Sequence, residues 1–343
     1  MSVKKVVKVG ASRFLGRRRG RGFPRQSIPQ AELDLFGKQI LSRPEYLDTN
    51  FMCEAYRSLG WEVLPDPFDP GIPARVKSAL ETATPFSIVR IGDGEANILA
   101  FEAYADTPHI DRHAFEETVA GQSDTCTLDE LWMTVLKEMM ENAVATADVV
   151  GVLGLWVAGD GAGDAGRFQR HFLRDPRGMA GQWRGRDLML RWARERSFNA
   201  AVLASAHLYL GVLAQLEELA DSAREVVCIS DRAAAVAALR ARFPEKPVTH
   251  LPVGGARGRR GGRQGRPDFL LRTREALPVD LRGRLCLVGA GPWAKISCGW
   301  IKRRGGVAVD LGSGFDLLEG KLTRSIHKEL PQELLNRLSS MAV

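Results

Sequence analysis

Two carboxylates stand one residue apart in "FSIVRIGDGEANILAF", residues 86–101. An apolar run, Phe86 to Ile91, stops at Gly92-Asp93-Gly94-Glu95, and an apolar-periodic segment follows. In an extended segment, residues i and i+2 point to the same side, so Asp93 and Glu95 can share one divalent cation. Gly92 and Gly94 let the backbone turn sharply and a ligand come close. A helix N-terminus expected near Ala96 favours an anion. Together these features suit a diphosphate, because Mg²⁺ or Mn²⁺ uses one or two carboxylates plus phosphate oxygens. The plain alternative is a polar Asp-Gly turn between strand and helix, and the bare D-x-E spacing does not separate the two.

A second motif lies near the end of the chain, "LCLVGAGPWAKISCGWIKRRGGVAVDLGSGFD", residues 285–316. Gly289-x-Gly291-x-x-Ala294 follows a strand, and Asp310 ends the next one, about 20 residues on, as in the dinucleotide-binding fingerprint. An NAD(P)-dependent oxidoreductase is therefore one reading, and a non-catalytic nucleotide-binding protein another. Against the first, only 33 residues follow Asp310, too few for the βα units that such a fold builds next. The same objection meets a methyltransferase reading of Val309-Asp-Leu-Gly-Ser-Gly314. Two readings remain: tight strand-helix packing, or a loop of Gly289, Gly291 and Asp310 that meets phosphates or ribose beside the first carboxylate pair. Asp316 is a candidate acceptor contact or general base, or else a turn carboxylate.

These motifs need elements to hold them. Short apolar strands alternate with helical patterns: strands at 86–91, 148–155, 200–204, 225–229, 285–288 and 307–311, helices at 96–104, 182–196, 208–220, 233–243 and 292–304. Thr127-Leu-Asp-Glu130 reads as a capping box opening a helix to about Ala145. This alternation predicts an α/β fold, a Rossmann-like, doubly wound, mainly parallel sheet with helices on both faces. The expected organisation is a disordered basic tail (1–26), a helical extension (27–80), a catalytic domain (81–325) and a C-terminal helical tail (326–343).

Composition narrows the function classes. Of the net charge of +7, residues 1–26 carry nine Lys/Arg and no acid, and residues 257–274 seven Arg against Asp268. The remainder is net negative by eight, so the body is no basic nucleic-acid surface. The tail suits a solvated segment or attraction to an anionic membrane face; nucleic acid ranks last, since only Phe14 and Phe23 interleave its cations. The five cysteines form no C-x-x-C pair, which speaks for a reducing, cytoplasmic setting and against a cysteine zinc site. No signal peptide or membrane span is read. His109-x-Asp111-x-His113 reads as surface chemistry in a polar loop, and His207, Cys286 and Cys298 as core residues.

Taken together, the two motifs resemble the GT-D-fold glycosyltransferases. "VRIGDGEANIL" is similar to that family's Arg-x-Gly-Asp-Gly-Glu signature, and "LVGAGPWAKISCGWIKRRGGVAVDLGSGFD" to its closing segment; the likeness spans about residues 80–325. It implies a metal-dependent enzyme of glycan or surface-polysaccharide assembly. The donor would be a nucleoside-diphosphate sugar, UDP-sugar favoured, and the acceptor a glycan or lipid-linked sugar. Asp93 and Glu95 carry over as ligands of Mn²⁺ or Mg²⁺. Arg90, Gly92, Gly94, Gly289, Gly291, Lys295 and Asp310 fall in the donor-binding motifs. Trp293 and the Arg/Gly run at 254–266 depart from the family pattern.

Overall fold

The computed structural model describes residues 28–122, 130–155, 176–253 and 268–339. The tail at 1–26, the Thr127 capping box and the Arg/Gly run at 254–266 lie outside the described residues.

In chain order come α1 (Gln30–Ser42), α2 (Thr49–Ser58), β1 (Glu62–Leu64), α3 (Gly71–Glu81), β2 (Phe86–Arg90), α4 (Asp93–Leu99), α5 (Pro108–Gln122) and α6 (Glu130–Ala145). Next are β3 (Val149–Val152), α7 (Pro176–Glu195), β4 (Val202–Ser205), α8 (Tyr209–Ala214), α9 (Leu216–Ser222), β5 (Glu225–Ser230), α10 (Ala233–Arg242) and β6 (Val248–Leu251). Then follow α11 (Asp268–Ala276), β7 (Arg284–Gly289), α12 (Ala294–Arg303), β8 (Val307–Asp310), α13 (Gly314–Leu318) and α14 (Gln332–Ser339).

Among the described residues the strands form one sheet in the order β1-β4-β3-β2-β8-β7-β5-β6, and every described pairing is parallel. Strand residues alternate between two cores. Val89, Val150, Leu203, Cys286 and Ala308 enter one; Ile88, Val149, Val202, Leu287 and Val309 enter the other. That alternation is the period of two expected of strands covered on both faces. The expected α/β fold with a parallel, doubly covered sheet is the one observed.

β2 and β8 are neighbours at the centre although the chain between them runs from residue 91 to 306. The chain leaves β2 to build one half of the sheet and reaches β8 from the other half. Ligands of open α/β sheets bind beyond the strand ends at such a reversal.

Several boundaries differ from the sequence reading. The stretch 27–80 is no separate helical extension: β1 lies inside it and pairs with β4 at the sheet edge. A three-residue strand is too short to show a period. Ile326, Leu330 and Leu338 bury into the second core, so the C-terminal helix packs on the sheet domain. His109, Asp111 and His113 lie on helix α5, not in a loop. Asp111 is ion-paired with the fully buried Arg184 of α7, which also donates to Thr107 Oγ1 at 2.6 Å. The Arg184 guanidinium lies 4.9 Å from the Phe36 ring centroid and 4.7 Å from that of Tyr104. No helix among the described residues is long and apolar enough to cross a membrane.

Candidate active site

The first motif turns earlier than expected. α4 opens at Asp93, not at Ala96, with Gly92 as its extended N-cap. Two residues apart on a helix are roughly 200° apart around its axis. Asp93 and Glu95 therefore do not share a side through strand geometry, and that expectation is corrected. What turns Glu95 back over the helix start is a hydrogen bond: Gly92 N donates to Glu95 Oε2 at 2.9 Å. Acidic residues are favoured in a first helical turn, so Asp93 and Glu95 are compatible with a helix start here. Asp93 and Gly94 are half-buried. α7 presses directly on this turn: a Cβ on Gly181 would overlap the Asp93 carbonyl, and one on Gly185 would lie 3.0 Å from Ala96 Cβ.

A chain of charges joins this turn to the second motif. Lys295, in the first turn of α12, pairs with Glu95 Oε1 and lies 2.8 Å from Asp310 Oδ2. The other Asp310 oxygen, Oδ1, is 3.2 Å from Arg90 Nη2. Arg90 also donates through Nε to the Asp310 carbonyl at 2.7 Å and through Nη1 to the Ala206 carbonyl at 3.0 Å. Its guanidinium sits 4.6 Å from the Tyr209 ring centroid. Tyr209 belongs to one core and the neighbours of Lys295 on α12 to the other. The network thus passes from one face of the sheet to the other over the C-terminal ends of β2 and β8.

Its electrostatics follow from burial and pairing. Burial would push the Asp310 carboxyl up, but the Arg90 and Lys295 charges outweigh it and hold it below the usual carboxylate range. Burial would likewise lower the Lys295 ammonium; Asp310 and Glu95 outweigh it and raise it. Burial, with Arg90 second, drives His207 down to about 4.

Two glycines make room for Arg90. Gly151 of β3 sits opposite it in register, and a Cβ there would lie 3.1 Å from Arg90 Cγ and 3.1 Å from the Ser205 carbonyl. Gly312 has φ +51°, and a Cβ on it would overlap Arg90 Nη2. Sequence reading missed Tyr209, Gly151 and Gly312 as site residues. Only Gly312 carried a signal, in its "DLGSG" loop.

The remaining expected residues are placed as follows. Gly289 has no room for a side chain, since a Cβ would overlap the Phe315 ring, and Gly291 takes a left-handed φ of +57°. These are the packing and turn roles. Asp310 has no exposed surface and both carboxylate oxygens are engaged, so the expectation that it meets a ribose is corrected. Asp316 accepts from Arg232 Nε at 2.8 Å and from Thr323 Oγ1 at 2.6 Å. With both oxygens held it serves the turn around α13, which is the turn-carboxylate alternative; its reading as a general base stays an expectation.

A divalent ion is what the resemblance implies at Asp93 and Glu95. Among the described residues, no three His, Cys, Asp or Glu side chains group closely enough to form a full ligand set. Glu95 uses two acceptor places, one for Gly92 N–H and one for Lys295. An ionised carboxylate offers about four. Glu95 thus keeps acceptor places for an ion that takes its other ligands from a diphosphate and water, while the helix geometry does not by itself bring Asp93 to the same side.

With this geometry in hand, the molecule is an α/β protein whose candidate site gathers at the C-terminal ends of central parallel strands. Residues 70–172 match the family model described as a GT-D fold-like domain, which supports the resemblance to the GT-D-fold glycosyltransferases over that part of the chain. Two solved structures are similar in outline. One is described as the highly conserved domain of unknown function 1792, with a distinct glycosyltransferase fold; it is 14% identical over 75% of this chain and 80% of its own, at a TM-score of 0.40. The other is the selenomethionine-substituted form of the domain of unknown function 1792, also 14% identical, covering 76% of this chain and 82% of its own, at a TM-score of 0.40. Likeness at that level has no bearing on the site. No curated protein matches the chain in sequence.

Proposed function

We propose that this protein is a metal-dependent glycosyltransferase. It moves a sugar from a nucleoside-diphosphate sugar, a UDP-sugar by preference, to a glycan or lipid-linked acceptor. One observation carries the reading: Glu95, Lys295, Asp310 and Arg90 form a continuous charged chain beside Asp93 at the ends of the central strands, on a GT-D-like domain.

Glycosyl transfer leaves negative charge on the departing diphosphate. Asp93 and Glu95 would hold Mn²⁺ or Mg²⁺, which would supply neutralisation of that charge. The protein's own groups do the positioning. Lys295 and Gly92 N–H fix the Glu95 carboxylate at the helix start. Arg90 ties the ends of β2 and β8 to the turn after β4 and keeps Asp310 ionised as the counter-charge of Lys295. Asp310 acts here as an internal anion, which removes the acid that a dinucleotide fingerprint needs for its ribose, and nothing observed favours the NAD reading.

A cytoplasmic setting and peripheral contact with an anionic membrane through residues 1–26 complete the proposal, since lipid-linked acceptors are assembled there. Deleting 1–26 should weaken co-sedimentation with anionic liposomes; unchanged binding would exclude the tail as the anchor.

The decisive measurement is the thermal shift with UDP, GDP and NAD, each with and without Mn²⁺. Stabilisation by a nucleoside diphosphate only with metal, lost in Asp93→Ala, is the expected result. Metal-independent stabilisation by NAD alone would overturn it.

A further inference from the structure

Arg184 and Arg186 are buried and Arg90 is half-buried, and the three are not alike. Arg90 faces Asp310, and Arg184 faces Asp111. Arg186 is 8% exposed and meets no carboxylate among the described residues. Its hydrogen bonds are amide ones: Nη1 donates to the Gln182 carbonyl at 2.7 Å and to Gln182 Oε1 at 2.8 Å. Its Nε is buried without a partner, and so is the hydroxyl of Tyr56 on α2. The Arg186 charge acts on that phenol, and the phenol on Arg186. A Cβ on Gly154 would meet both Arg186 and Met52, and Met52 stands one turn before Tyr56 on α2, so the two unsatisfied polar groups share one neighbourhood.

Burial drives the Arg186 guanidinium down to about 10, which still leaves it charged at neutral pH. A buried cation without an anion costs several kcal/mol. Local rules of this kind are broken chiefly at functional sites, and a ligand is one source of the missing charge. The position suits a ligand. Gly154, at φ +85°, lies just past the end of β3, and a Cβ on it would stand 2.7 Å from Arg186 Nε. β3 is the neighbour of β2, and α7 carries Gly181 against Asp93, Gly185 against Ala96 and Arg186 immediately after.

We propose that Arg186, assisted by Tyr56, receives an oxyanion of the acceptor, a phosphate or a carboxylate, at the end of β3 beside the donor site. The acceptor assignment rests on the transferase reading above; the anion site itself does not. A guanidinium fork is suited to either oxyanion, and the phenol adds a second donor.

The test is the melting of the full chain in inorganic phosphate and, separately, in acetate, at ionic strength held constant with sodium chloride. Wild type, Arg186→Met, Arg186→Lys and Tyr56→Phe are compared. A rise in melting temperature with phosphate assigns a phosphate group, and one with acetate alone a carboxylate. Arg186→Met should melt no lower than wild type in chloride, because it removes an unpaired buried charge. It should bind the anion at least about tenfold more weakly, with Arg186→Lys and Tyr56→Phe in between. No shift with either anion, or an undiminished shift in Arg186→Met, overturns the proposal. If Arg186→Met fails to fold, an Arg186→Lys variant with wild-type anion affinity overturns it as well. The UDP–Mn²⁺ shift is read in parallel: its loss in wild type would sink the donor reading and leave the anion site standing, whereas loss of the anion shift alone sinks only this inference.

Discussion

Arg90 and Gly312 fit together with no space for a single carbon between them: a Cβ on Gly312 would overlap Arg90 Nη2. Gly312 also has φ +51°, where an L side chain is strained. Gly312→Ala should therefore cost roughly 1–3 kcal/mol, read as a lower urea midpoint, and should reduce turnover by displacing the guanidinium that spans the strand ends. An unchanged midpoint would mean that Arg90 is not held as described.

Lys295 neutralises two carboxylates from two different elements. Lys295→Met would leave Asp310 with Arg90 alone and Glu95 with no cation. Removing one member of a buried ion pair typically costs about 3–5 kcal/mol. The pH dependence has a definite sign. Asp310 has a folded pKa below its unfolded value, so its contribution is present above about pH 4 and is lost as pH falls through the folded pKa. The stability gap between wild type and Asp310→Asn should be wide at pH 7 and narrow on acidification below pH 4. A gap that does not change with pH would refute the pairing.

His207 and His327 titrate in the opposite sense to a salt-bridged histidine. Burial pushes both down to about 4, and His327 shares a 2.8 Å hydrogen bond with the Tyr209 hydroxyl. Each binds its proton more weakly folded than unfolded. Their contribution is complete above about pH 6.5 and is lost between there and about pH 4. Urea midpoints should fall across that window, and His327→Gln should flatten the fall. A slope unchanged in that variant would show that other groups cause it.

Asp93 and Asp316 should separate cleanly by kinetics. Asp93→Ala is expected to abolish sugar transfer with at most about 1 kcal/mol of stability lost, the size of a first-turn carboxylate. Asp316→Asn loses an interaction of its charge with Arg232 and should lower stability while kcat/KM stays near wild type. Near-complete inactivation of a stable Asp316→Asn would favour its reading as a base.

Much of this was legible in the sequence, for identifiable reasons. Strands such as Phe86–Arg90 and Arg284–Gly289 are apolar runs long enough to declare themselves, and the alternation with helices gave the parallel sheet. Glu62–Leu64 is three residues long, and it is a strand because β4 lies beside it. The D-x-E pair was found, but its geometry was not, because the choice between strand and helix at Asp93 is made by tertiary contacts: Gly181 against the Asp93 carbonyl and Lys295 against Glu95. Asp310 looked like a ligand contact because its position in the motif matches one. Its partners come from 220 residues and 15 residues away in the chain, and no local pattern reports them.

The insertion of β8 beside β2 also sets a timetable. A chain emerging from the ribosome makes β2, β3 and β4 early, yet β2 keeps a bare edge until residues 307–310 arrive. Unpaired apolar edges invite association with other chains, and contacts so distant in sequence form slowly. Arg90 in turn waits for Asp310. The candidate site is thus completed late: a nascent chain that stops before β8 would own most of the sheet, with Arg90 and Lys295 both still lacking Asp310.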